Sequence, residues 1–194
     1  MKKLFMMLVG VLMLGTTAKA QTDVILRGGF ATNTFVGDDF DNTSMSPGYN
    51  IGLELNNYFH KGLYWNTGIL FGSRGYEVEL PGEDLNFRAH NFQIPLTIGY
   101  KYNLGSGFAL DGRIGAFFSV DMAGKQEMPG KLDDIKISDI DNYHRCDGGL
   151  LIGIGVWYQK FNLDFAYQRG FAALTKTLDE GGASNFWIRL GYAF

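Results

Sequence analysis

The sequence predicts an all-β fold, an eight-stranded antiparallel up-and-down transmembrane β-barrel. Three observations lead there. Eight segments alternate large apolar residues with small or polar ones, the period of a strand with two unlike faces. The connections between them alternate between tight turns and long polar segments. The final segment sets Phe186, Ile188, Leu190, Tyr192 and Phe194 opposite Asn185, Trp187, Arg189, Gly191 and Ala193. An open sheet with so apolar a face pairs with other chains, whereas a barrel has no edge and buries that face in hydrocarbon.

The amino end supplies the address. Lys2 and Lys3 precede an apolar run, Leu4 to Leu14, and Ala18-Lys19-Ala20 forms a cleavage site. Residues 1–20 therefore read as a cleavable signal peptide, and residues 21–194 as one outer-membrane β-barrel domain of a Gram-negative envelope. The run is too short to cross a bilayer as a helix. Gln21, not a Cys, directly follows the cleavage site, which argues against a lipid anchor. Lys2, Lys3 and Lys19 are three of the 17 basic residues, so the remaining 14 stand against 20 Asp and Glu. Nucleic acid, which needs a basic stripe, is not an expected partner. Glycine (27) and aromatics (15%) are abundant, as suits close-packed strands with aromatic belts. The lone Cys146 permits no internal disulfide and reads as a loop thiol.

The strands follow in order. The first, about 23–31, sets Val24, Leu26 and Phe30 against Ile25 and Arg27. The second, about 49–59, sets Tyr49, Ile51, Leu53 and Leu55 against Gly52 and Glu54. The third, about 63–74, sets Leu63, Trp65, Ile69 and Phe71 against Asn66, Gly68, Gly72 and Arg74. The fourth, about 89–102, sets Phe92, Ile94, Leu96, Ile98, Tyr100 and Tyr102 against Asn91, Gln93, Thr97 and Lys101. The fifth, about 108–120, sets Phe108, Leu110, Ile114, Phe118 and Val120 against Asp111, Arg113, Gly115 and Ser119. The sixth, about 147–158, sets Leu150, Ile152, Ile154, Val156 and Tyr158 against glycines. The seventh, about 161–169, sets Phe161, Leu163, Phe165 and Tyr167 against Asn162, Asp164 and Gln168. The eighth is the closing segment, 185–194.

Short turns at 60–62, 103–107 and 159–160 fall on the side of the termini and are expected to be periplasmic; the long segments 32–48, 75–88, 121–146 and 170–184 are expected outside. Tyr58, Phe59, Tyr64, Trp65, Tyr100, Tyr102, Phe108, Tyr158, Phe161, Tyr192 and Phe194 lie at periplasmic strand ends, where an interfacial girdle collects aromatic rings. Pro95 lacks the ladder donor, so a bulge or kink is expected there.

Ser73-Arg74-Gly75, Asn91-Phe92-Gln93-Ile94-Pro95-Leu96, Gly99-Tyr100-Lys101-Tyr102, Asp111 to Phe118, Asp147-Gly148-Gly149 and the closing Leu190-Gly191-Tyr192-Ala193-Phe194 resemble the PorT-type outer-membrane β-barrel proteins of Bacteroidetes. The resemblance covers nearly all of the chain after the signal, and Ile94-Pro95-Leu96 is its most specific element. It implies an eight-stranded, porin-like barrel and little about activity, although one branch of the family serves protein secretion.

The face opposite the lipid carries Arg27, Glu54, Arg74, Asp111, Arg113, Asp164 and Arg189, with Lys101 near the periplasmic end. Mixed signs in a narrow lumen predict a layer of internal salt bridges that plugs it, because an unpaired buried charge is costly. A selectivity region of a small channel is the alternative. Arg189 is a predicted partner of Asp164 or Glu54. Tyr192 and Phe194 are expected to be read by the barrel assembly machinery, as such barrels generally end. Outer-membrane lipid and lipopolysaccharide are expected partners, with an unidentified envelope protein at the loops. No cofactor, metal site or catalytic residue is expected: His60, His90 and His144 lack an evident nucleophile and orienting acid. The acidic segments around Asp38, Glu83, Asp133, Asp139 and Asp179 match no cation-binding loop and read as solvated.

Overall fold

The computed structural model describes residues 21–36, 43–80, 83–127, 135–136, 145–171 and 182–194. Eight long strands form the wall: β1 (Thr22–Val36), β2 (Ser46–His60), β3 (Leu63–Leu80), β4 (Glu83–Gly105), β5 (Phe108–Glu127), β6 (Cys146–Tyr158), β7 (Phe161–Gly170) and β8 (Gly182–Ala193). Two short pieces, Thr43–Ser44 and Ile135–Lys136, pair with the outer parts of β3 and β5. Every strand runs antiparallel to its neighbours in sequence, and β8 returns to pair with β1, so the sheet closes as an eight-stranded barrel.

The register sets the shape. Following direct partners around the wall leads from Thr22 to Asn57, Trp65, Ile98, Ile114, Ile152, Tyr167 and Phe186, and back onto β1 at Thr32. The circuit thus returns ten residues further along the strand. With ~3.3 Å per residue and ~4.8 Å between strands, a stagger of ten over eight strands tilts them by about 40°. A barrel of this size leaves an interior that side chains can fill.

Burial is inverted relative to a water-soluble protein. The outward positions are apolar and exposed, among them Leu26, Ile51, Ile69, Leu96, Ile114, Ile152 and Leu190, while Arg27, Glu54, Asn66, Asp164 and Arg189 are enclosed. The short turns bend where the left-handed backbone region is populated: Gly62, Gly105 and Gly107 have φ of +82°, +91° and +83°, and Ser106 and Gln159 each have +54°. Phe108 and Tyr158 (4.8 Å between ring centroids) and Phe161 and Tyr192 (5.3 Å) pack as a belt at that end.

Four sequence expectations change. Pro95 causes no bulge. Its pairing to Phe117 on β5 is continuous, and on the β3 side the ladder skips from Thr67–Leu96 to Leu70–Gln93 without changing register. The missing amide hydrogen removes hydrogen bonds locally, and the flanking pairs hold the alignment. The true irregularities lie at Tyr58/His60, His90/Asn91 and Asn103/Gly105. Second, most of 75–88 is strand, with β3 and β4 paired from Gly75–Arg88 out to Leu80–Glu83. Third, Tyr64 turns into the lumen and is fully buried, because inward parity on β3 prevails over its position near the strand end. Fourth, Cys146 opens β6 as an exposed free thiol.

The band implies a depth-dependent test. Ile152→Arg, at mid-height and 52% exposed, is expected to lower the stability of the folded barrel in vesicles by about 2–4 kcal/mol, and Tyr102→Arg at the periplasmic rim by about 0–1 kcal/mol. Urea titration of the heat-modifiable gel shift measures both.

Candidate functional site in the lumen

Inward residues recur at every second position, so each strand contributes a vertical ladder to the lumen. On β5 the ladder reads Asp111, Arg113, Gly115, Phe117, Ser119, Asp121; on β6, from the same end, it reads Trp157, Gly155, Gly153, Leu151, Gly149, Asp147. These two ladders show three tiers: polar and ionic groups toward the periplasm, an apolar residue midway, and carboxylates toward the outside.

The first, ionic tier joins five of the seven luminal charges read from the sequence: Arg27, Glu54, Arg113, Asp164 and Arg189. Arg27 Nη1 donates to Glu54 Oε2, and its Nε donates to Asn162 Oδ1 at 2.9 Å. Arg189 reaches two strands: its Nε and Nη2 donate to Asp164 Oδ2 at 2.9 and 2.6 Å, and its Nη1 lies 3.0 Å from Glu54 Oε1. Arg113 Nη1 lies 2.6 Å from Asp164 Oδ1. Asn66 and Asn50 complete the set, the first donating to Glu54 Oε2 at 3.0 Å and the second accepting from Arg189 Nη1 at 2.8 Å. Asp111 sits at the lower edge, 3.8 Å from Arg113, and accepts from the Tyr64 hydroxyl (2.5 Å) and Trp157 Nε1 (3.1 Å). Three guanidinium groups thus meet three carboxylates, and the formal charge of the tier is zero. Two glycines make the space. A Cβ on Gly153 would stand 2.8 Å from Arg113 Cζ, and one on Gly155 would stand 2.0 Å from Asp111 Oδ1.

Arg74 belongs elsewhere. It lies eight residues beyond Asn66 on the same strand, about 20 Å higher at this tilt. There it donates to Asp121 Oδ2 through Nε (3.0 Å) and Nη2 (2.5 Å), and to Asp147 Oδ2 through Nη1 (3.0 Å). Counting along β3 already sets Arg74 at the far end of its strand; its grouping with the other luminal charges rests on its face alone. Between the two ionic tiers sits an apolar cluster that the alternation did not single out: Ala31, Leu70, Phe117, Leu151, Ala166 and Trp187. At the periplasmic mouth, Lys101 Nζ lies 3.7 Å from the centroid of the Trp157 ring and 3.8 Å from Asp23, and Tyr58 donates to Asp23 at 3.0 Å.

Tyr192 and Phe194 contact each other edge to face at 5.4 Å on the lower wall. His60 is exposed at the β2–β3 turn, and His90 Nδ1 lies 3.0 Å from the Tyr49 hydroxyl. His144 and the acidic segments around Asp38, Asp133, Asp139 and Asp179 lie outside the described residues. Among the described residues no group of three His, Cys, Asp or Glu could hold a metal ion.

Removing one charge from the first ionic tier leaves its partners buried and uncompensated. Glu54→Gln is expected to cost about 3–5 kcal/mol of unfolding free energy in vesicles. Equal stability of E54Q and the parent chain would show that the tier does not depend on charge balance.

Comparison with known proteins agrees with this architecture. No curated protein matches the sequence. Neisserial surface protein A has a similar structure, with 12% identity, a TM-score of 0.53, and coverage of 90% of this chain and 99% of that one. The outer membrane protein OprG from Pseudomonas aeruginosa is similar at 14% identity and a TM-score of 0.50, covering 90% of this chain and 97% of that one. At such identities the likeness concerns the fold. Residues 19–176 match the family described as outer membrane protein beta-barrel domain. The chain belongs to that family, and it is an integral β-barrel of the outer membrane.

Proposed function

We propose that the protein is a closed membrane anchor: its lumen is plugged by side chains, and its role is structural or interactive, exercised through the external loops. The observation that carries this reading is the pairing of a charge-balanced ionic tier with an apolar tier directly above it. A permeating ion finds the charges of the first tier already paired, and in the second it meets apolar side chains from six of the eight strands, with polar groups such as Asn50 and Gln93 contributed only by β2 and β4. Outer-membrane lipid and lipopolysaccharide surround the barrel, the assembly machinery reads Tyr192 and Phe194, and an envelope protein engages the loops. The chain performs no catalysis in this reading. Its export by the signal peptide and its PorT-type, Bacteroidetes affiliation rest on the sequence motifs alone. A place in a secretion apparatus rests only on that affiliation, and no lumen contact favours it.

The alternative, a small-solute channel, makes the opposite electrical prediction. Purified full-length barrel in a planar bilayer is expected to give no steady conductance above the bare membrane. Reproducible ohmic steps would overturn the plug and establish the channel.

A further inference from the structure

We infer that the outer wall of the barrel carries a binding site for the phosphate of an outer-leaflet glycolipid, formed by Arg88 and His90 on β4 with Tyr49 on β2. The outward face of β4 is apolar or aromatic from Tyr102 through Tyr100, Ile98, Leu96 and Ile94 to Phe92, and then turns basic at His90 and Arg88. Tyr100 lies at the periplasmic end, and His90 stands ten residues away along the strand. At ~3.3 Å per residue and a tilt of about 40°, that is an axial rise of about 25 Å, the height of the apolar band of such barrels. His90 therefore sits at the outer boundary of the hydrocarbon, and Arg88 one outward step beyond it, among headgroups.

The local packing fixes this site. The His90 ring stacks on Phe71, 6.2 Å between centroids at 20°, and its Nδ1 is held 3.0 Å from the Tyr49 hydroxyl. Phe71 in turn packs against Tyr49 (5.8 Å) and Phe92 (5.2 Å). Arg88 is exposed, and its direct register partners are Gly75 on one side and Lys125 on the other; the nearest acids by register, Glu77 and Glu127, pair with Asn86 one step further out. A basic cluster on a lipid-facing wall is costly at the bilayer centre and favourable at an interface, where a counter-ion is available. A guanidinium forks onto phosphate oxygens through two parallel hydrogen bonds. Only an amphiphile satisfies both parts of the surface: its phosphate meets Arg88 and His90 while its acyl chains lie down the wall over Phe92, Ile69 and Leu96, all exposed. The opposite, periplasmic leaflet is about 25 Å away from these groups and does not supply the ligand.

The test uses the full barrel in mild detergent, with bisphosphorylated lipid A as probe and native mass spectrometry as readout. The parent protein is expected to retain lipid A, and to retain the dephosphorylated lipid at least about tenfold less. The Arg88→Ala/His90→Ala double variant, checked for its heat-modifiable gel shift, is expected to lose lipid A retention by about tenfold or more, as the loss of a charge-assisted contact implies. Arg88→Lys with His90 intact should recover part of it. Equal retention by the double variant, or equal retention of phosphorylated and dephosphorylated lipid, would overturn the site. Full displacement of lipid A by millimolar inorganic phosphate would overturn the glycolipid assignment in favour of a simple anion site.

Discussion

The structure depends most on Arg189. It stands on β8, pairs with Asp164 on the adjacent β7, and reaches across the lumen to Glu54 on β2. Glu54 in turn binds Arg27 on β1. The set therefore spans the seam where β8 meets β1, the contact of greatest sequence separation in the wall. Backbone ladders hold neighbouring strands together, but they do not choose how far one strand slides along the next. A slip by one residue would turn every inward charge on that strand toward hydrocarbon. This ionic tier penalises such a slip on five strands at once, so the same contacts that fill the lumen also define the stagger of ten.

The alternation of residues makes the fold and the two faces readable from sequence, because a strand in a membrane wall has no third environment. Arg27, Glu54, Arg113, Asp164 and Arg189 could be placed together because each lies in a strand whose parity is clear. Arg74 shows where that reading fails. It has the correct face but stands at the far end of its strand from those five, and what the sequence does not reveal is its partners. Its partners Asp121 and Asp147 lie at strand positions that read as loop or loop edge. Residues 75–88 read as a loop for a related reason: beyond the membrane both faces of a hairpin meet water, so strands there need no apolar alternation. The apolar tier escaped notice because Leu70 and Leu151 break a pattern in which apolar residues point outward.

The tiers are not interchangeable in their physics. An ionic tier alone leaves polar groups that attract water, and a hydrated lumen would let ions approach the next polar ladder above. An apolar tier alone would lack the directional contacts that hold a unique register, since packed hydrocarbon tolerates small displacements better than bidentate hydrogen bonds do. Stacked, they divide the work: the charges align the strands, and Phe117, Leu151, Leu70 and Trp187 separate that aligned layer from the Arg74 cluster near the outside. The closed lumen proposed above rests on this ordering. The Asp23 and Lys101 mouth lies at the end of the short turns and the Arg74 cluster toward the other end; the inward ladders of β3, β5 and β6 between them are each interrupted midway by an apolar side chain, whereas that of β2 carries only small and polar residues from Ser46 to Asn56. On the proposed reading, what such a barrel offers its surroundings is its rim and its outer wall rather than its interior.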